Sequence, residues 1–234
     1  MFPEKRTSWF EAGAERRASS LQTIRRVSLR DVTVERIRQA IERGELRAGE
    51  QITELGLARK LGVAQPTIRE ALLELEFIGF IERLGPRRTC VTMLSRQKID
   101  EIYVVRARLE ALAVELVASH RADLSVCDQC FHAMMQFAKS VETSRFYQAD
   151  LEFHRALWRA TRNESLADAL ERLVPKLFAF GIIRQARPKV RKLMEIAGLH
   201  GRLLELIRSG DVKEAKKLMD LSMEKAWLDD AELP

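Results

Sequence analysis

Asp150 and His154 stand four residues apart, so a helix through them presents a carboxylate and an imidazole on one face. His200 lies ten residues before Gly210, and Ser222 lies eleven after Asp211. A chain break at Gly210-Asp211 that folds the flanking segments into a hairpin brings these two side chains to the same level. A carboxylate, two imidazoles and a hydroxyl then come within reach of one another. Carboxylate and imidazole suit Zn²⁺, Ni²⁺ or a similar divalent ion, with positions left open for water or an anion. On spacing alone, an Asp and a His one turn apart on a helix are more often a surface pair. A second set of residues suits a polyanion. Gln65, Thr67 and Arg69 open an apolar-striped segment, and Arg87 and Arg88 sit in the turn Gly85-Pro86-Arg87-Arg88. Gln65 could pair with adenine, Thr67 with a phosphate or a base, and Arg69 with guanine or a phosphate. Arg87 and Arg88 would release counterions over the DNA backbone or the minor groove. Cys127 and Cys130 have no second cysteine pair, which argues against a zinc knuckle or a redox motif.

Two kinds of element must position these groups. Val34, Ile37 and Ile41 recur at helical spacing up to Gly44. A second helix fits Thr53 to Leu61, with Thr53 as N-cap, and Gly62-Val63 makes a tight turn. The third helix begins near Gln65, tolerates Pro66 in its first turn, and carries an inner stripe of Ile68, Leu72 and Leu75. Phe80 to Leu84 and Thr89 to Thr92 read as a hairpin around the basic turn. Together these pieces spell a winged helix-turn-helix, whose third helix matches the width of the DNA major groove. From about Gln97 the pattern is helical throughout. Ile102, Val105, Leu109, Leu112 and Leu116 form a seam, and further helices fit 123–141, 144–161, 165–183, 189–208 and 211–228, with Asn163 as a cap. Six helices with short connections predict an antiparallel bundle.

The fold expected is therefore mainly α, an N-terminal winged helix-turn-helix followed by an antiparallel all-helical bundle. Its expected divisions are a flexible basic tail over 1–28, the winged domain over 29–94 and the helical domain over 95–230. Within the tail, Lys5, Arg6, Arg16, Arg17, Arg25 and Arg26 follow no sustained period. The 234 residues are 46 % hydrophobic and 32 % charged, a profile that excludes disordered and fibrous chains. The formal charge is +6, and before Ser95 there are 17 basic against 13 acidic residues, so the shorter half is the one to test for nucleic acid. Three cysteines and an opening without a long apolar stretch predict a reducing cytoplasm. No window is apolar enough for a membrane-spanning helix.

Residues 31 to 93 resemble the GntR family of bacterial transcription regulators. The resemblance runs through Ile41 to Gly49, Leu57-Ala58-Arg59-Lys60-Leu61-Gly62-Val63, and Ile68-Arg69-Glu70-Ala71-Leu72 to Gly79. Here the family's usual Ser-Arg at the start of the reading helix is Ala64-Gln65, its Thr-Pro is inverted as Pro66-Thr67, and a frequent wing glycine is Arg88. Residues 97 to 228 resemble the helical effector domain of the FadR subfamily, the FCD domain. That likeness is carried by Arg106 with Leu109-Glu110, by Asp150, His154 and Asn163, and by His200 with Asp211. In metal-binding members an Asp and three His hold a divalent ion that a small carboxylate approaches, and the last of those His is Ser222 here. The resemblance implies Asp150, His154 and His200 as metal ligands. It implies Arg106, His154, His200 and Ser222 as effector contacts, with Arg106 gripping a carboxylate bidentately or pairing with a bundle Glu. An ion-free pocket, with the two imidazoles bonding an acid directly, stays open, as does a satisfied polar core.

The function expected is a ligand-responsive DNA-binding regulator rather than an enzyme. It would act as a homodimer on double-stranded operator DNA, respond to a small carboxylate and use Zn or Ni. The alternative is a helical metal-dependent enzyme using the Asp/His/His site. That reading lacks a general base at metalloprotease spacing.

Overall fold

The structure, a computed structural model, describes residues 28–85, 88–184 and 190–231, with side chains to residue 223. Residues 1–27 of the expected tail and Arg87 lie outside the described residues, while Ser28 belongs to the start of the first helix. The first half is short elements held by local caps. Helix α1 (Leu29–Glu42) starts where Ser28 accepts from the Asp31 amide at 3.0 Å, and buries Ile37 and Ile41. Strand β1 (Gln51–Ile52) leads to helix α2 (Glu54–Leu61), capped by Thr53, whose hydroxyl accepts from the Gly56 amide at 3.1 Å. Gly62, with φ +66°, ends α2 in the left-handed conformation and turns the chain into helix α3 (Gln65–Phe77), which has Pro66 in its first turn. Ile68, Ala71, Leu72 and Leu75 form its buried stripe. Strands β2 (Ile81–Arg83) and β3 (Thr89–Val91) form the wing hairpin, with Ile81 opposite Val91. Strand β1, two residues long and outside the expected hairpin, pairs antiparallel with β3 and makes the sheet order β1-β3-β2.

The second half is helical. Helix α4 (Arg96–His120) is capped by Ser95, and α5 (Ser125–Ser140), α6 (Thr143–Ala160), α7 (Glu164–Leu173), α8 (Pro175–Ile183), α9 (Val190–Ser209) and α10 (Val212–Ala231) follow. The bundle core joins Val114, Met134, Phe146, Phe153, Leu157, Leu193 and Leu204 across four of these helices. Each such side chain, fully buried, stabilises the fold by roughly 1.5–3 kcal/mol relative to exposure. Two expectations need correction. The single helix expected over 165–183 is two helices, because Pro175 has no amide to continue the ladder and its ring collides with the preceding turn. In the seam on α4, Val105 and Leu112 are exposed, and the buried face instead runs through Ile99, Ile102, Tyr103, Arg106 and Glu110.

The two halves meet at a joint made by α6 and α8. Ala179 and Ile182 of α8 complete the apolar cluster of the winged half, beside Ile37, Leu72 and Leu75. Gly79, at φ +85°, lies so close to α8 that a Cβ there would stand 2.7 Å from the Pro175 carbonyl carbon. On α6, Ser144 accepts from Arg38 at 2.6 Å and donates to Glu42 at 2.7 Å. Arg155, gripped through Nε by Glu171 and through its NH1 group by Glu152, lies over the Phe77 ring at 5.2 Å.

Candidate ligand pocket and DNA-reading surface

Helix α6 carries Asp150 and His154 one turn apart, both buried, and α9 carries His200 against them. The approach of α9 depends on Gly201, where a Cβ would meet the Phe131 ring of α5 at 2.9 Å. The three donor atoms form a triangle. His200 Nε2 is 2.9 Å from Asp150 Oδ1, His154 Nε2 is 3.6 Å from the same oxygen, and the two Nε2 atoms are 3.5 Å apart. Each ring faces an acceptor from behind: His200 Nδ1 lies 2.8 Å from the Ile196 carbonyl, and His154 Nδ1 lies 3.1 Å from Glu110 Oε1. Phe153 packs edge-on to His200 at 4.6 Å and Phe178 to His154 at 5.8 Å, which restricts both rings.

Burial alone would raise the Asp150 carboxyl, but His200, His154 and Arg106 outweigh it and hold it below the usual carboxylate range. Burial alone would lower His200, but Asp150 and the Ile196 carbonyl outweigh it and raise its affinity for a proton.

These residues fit a divalent ion. Asp150 Oδ1 is buried without a hydrogen-bond partner, since its close approach to His200 is poorly aligned, and such an atom calls for a cation. Two imidazoles and a carboxylate whose donors lie within 4.8 Å of one another are a borderline-soft donor set suited to Zn²⁺ or Ni²⁺. The triangle opens onto a cavity of about 180 Å³, with Leu199, Leu203, Met219 and Met223 among its apolar walls. Arg106 reaches it from α4, its guanidinium 3.4 Å from His154 Nε2 and 5.1 Å over Phe178. The same guanidinium donates through Nε to Glu110 at 3.4 Å, so Arg106 faces the cavity and a bundle Glu together. Ser222, on α10, lines the cavity with its hydroxyl donating to the Leu218 carbonyl at 2.7 Å.

Glu110, without an expected role from the sequence, sits at the centre of the contacts behind the pocket. It is fully buried and accepts from Arg106 at 3.4 Å and from the Trp158 indole at 3.0 Å, with His154 Nδ1 3.1 Å away. Burial would raise its carboxyl, but His154, Arg106 and Trp158 push it down to about 2. The available signal was its place one turn after Arg106, as Trp158 is one turn after His154.

At the other end of the molecule, Gln65 and Arg69 share an exposed face of α3, while Thr67 is half-buried beside them. Arg69 is not free: it grips Glu54 at 3.0 and 3.2 Å through two nitrogens. Arg88 is exposed at the wing, where its carbonyl accepts from the Leu84 amide at 2.8 Å.

A three-helix unit with a wing, carrying an exposed reading helix and packed on a helical bundle whose largely apolar cavity holds a cluster of polar groups, is the build of a DNA-binding transcription regulator with an effector domain. The pattern of bacterial regulatory proteins of the gntR family matches residues 29–91, and that of the FCD domain matches residues 101–225. The chain belongs to the GntR family, and its FCD domain fits the FadR subfamily. It is 29 % identical over 177 residues to a probable D-xylose utilization operon transcriptional repressor of Paenarthrobacter nicotinovorans, covering 75 % of this chain and 77 % of that one. It is 30 % identical over 138 residues to the HTH-type transcriptional regulator YdhC of Bacillus subtilis (strain 168), covering 58 % and 62 %. A crystal structure of a GntR regulator from Rhodococcus sp. RHA1 shares the fold at a TM-score of 0.67 and 18 % identity, over 86 % of this chain and 96 % of that one. These families and relatives are of regulators and not of enzymes. No helix among the described residues is long and apolar enough to cross a membrane.

Proposed function

We propose that the bundle senses a small carboxylate through a divalent ion held by Asp150, His154 and His200, and that occupancy of this pocket changes operator binding by the winged half. The supporting observation is the donor triangle, with a buried, unpartnered Asp150 oxygen at one corner. The ion would supply positive charge and open positions for an anion, with Arg106 beside it as the bidentate partner and Ser222 as a further contact. The Asp/His/His group thus serves as a sensor and not as a catalytic centre. Gln65, Thr67 and Arg69 would read base edges and phosphates, and Arg87 and Arg88 would clamp the backbone from the wing. The apolar strip Val104, Val105 and Leu112 on α4 is exposed, which supports a homodimer that reads two half-sites about one helical turn apart.

Elemental analysis of the purified protein beside Asp150→Ala and His200→Ala tests the sensor reading. Near-stoichiometric metal in the parent, lost in both variants with helical content kept, is the expected result. Full metal retention in both variants would sink the site.

A further inference from the structure

We infer that Glu110 is a positioning residue of the pocket: its carboxylate fixes which nitrogen of His154 carries the proton, leaving the Nε2 lone pair turned toward Asp150 and His200. The inference deepens the ion-binding reading above and rests on it only for its consequence in affinity. Three groups converge on this one side chain. The Trp158 indole donates to Oε2 at 3.0 Å, Arg106 donates through Nε to Oε1 at 3.4 Å, and His154 Nδ1 stands 3.1 Å from Oε1. Indole and guanidinium can only donate. The group they surround must therefore accept on both oxygens, which a carboxylate does and an amide does not.

His154 is the one member of this set that can choose. With its proton on Nδ1 it faces Glu110 as a donor. With its proton on Nε2 it would turn a lone pair toward a fully buried carboxylate 3.1 Å away, an arrangement that repels. The Nδ1 contact is off the line of a good hydrogen bond, and Asp150 Oδ1 on the opposite side of the ring is likewise unpartnered. The ring therefore sits between two carboxylates, held from behind by one and facing the other in front. Metal-ligating imidazoles are held in this way, through the nitrogen that does not bind the ion. For His200 the same task falls to the Ile196 carbonyl at 2.8 Å. Both rings thus aim Nε2 at one point, one steered by backbone and the other by Glu110. The amide in Glu110→Gln would keep its oxygen for one donor and offer N–H to another. If the oxygen stays with Trp158, the N–H faces His154 Nδ1 and favours the opposite tautomer.

The test uses full-length protein with ¹⁵N-labelled histidine, stripped of metal, as parent, Glu110→Gln and Glu110→Asp. Imidazole nitrogen shifts report the tautomer of His154, and titration with Ni²⁺ or Zn²⁺ alone reports affinity. Read where the His154 ring carries a single proton, the expected result is an Nδ1–H ring in the parent and a shift to the Nε2–H form in Glu110→Gln. Affinity for the ion should fall about 10–100-fold in that variant, with partial recovery in Glu110→Asp. An unchanged tautomer in a folded Glu110→Gln would overturn the inference, as would ion affinity within twofold of the parent. If the parent takes up no ion but the tautomer still switches, the role of Glu110 stands and the ion-binding reading of the pocket fails.

Discussion

Asp150 and His200 hold each other in opposite charge states, and this ties the stability of the ion-free protein to pH. His200 binds its proton more tightly than an ordinary imidazole, so its contribution is complete below about 6.5 and is lost as pH rises through its raised value. Asp150 releases its proton more readily than an ordinary carboxyl, so its contribution is complete above about 3.8 and is lost as pH falls through its lowered value. In EDTA the urea midpoint should therefore decline from pH 6 to pH 9. Added Ni²⁺ should flatten or reverse that slope, since an ion prefers the deprotonated ring. A slope that metal leaves untouched would count against the site. The Cys127 thiol, pushed up to about 12 chiefly by burial, should resist alkylation at pH 8 in the folded protein while half-buried Cys130 reacts first, as mass spectrometry of the modified chain would show. Asp150 and His154 could be read from spacing because one helix carries both. Glu110 shows in the sequence only as the residue one turn after Arg106, and its role arises where α4 crosses α6 and brings Trp158 and His154 onto it.

The elements of the winged half announce themselves locally: Thr53 caps α2, Gly62 ends it and Pro66 starts α3. No partner outside the segment is needed to read them. The break at Pro175 was hidden because Leu173, Val174, Leu177 and Phe178 continue an apolar run on both sides of it. That break aims α8 at Gly79. Gly79→Ala should cost about 1–3 kcal/mol for the left-handed backbone alone, with a further penalty from the Pro175 backbone 2.7 Å away. Gly44, at φ +73°, has nothing within 4 Å of its virtual Cβ, so Gly44→Ala isolates the backbone part. Denaturant midpoints of the two variants should separate, with Gly79→Ala the lower. Equal shifts would mean that the joint at α8 yields freely.

At the scale of the whole molecule, the seam read on α4 is a case where the period was right and the described residues cover only part of the face. Ile102, Val105, Leu109, Leu112 and Leu116 keep helical spacing, yet Val105 and Leu112 remain exposed and Val104 is 70 % exposed. Periodicity reports that a face is apolar, and it does not report what covers it. A second copy of the chain covers it in the dimer proposed above. Leu112→Glu should then shift the sedimentation coefficient from dimer to monomer and weaken operator binding by tenfold or more, with the far-ultraviolet spectrum unchanged. A dimer that survives Val104→Glu and Leu112→Glu together would move the interface elsewhere. The joint between the halves has a different outcome for the history of such chains. Because α8 gives Ala179 and Ile182 to the core of the winged half and Phe178 and Gly181 to the cavity wall, the reader is not a detachable module. A recombination event that exchanged residues 29–91 between two relatives would leave the newcomer's core to be closed by a foreign helix, so the reading head and α8 are expected to be inherited as a matched pair.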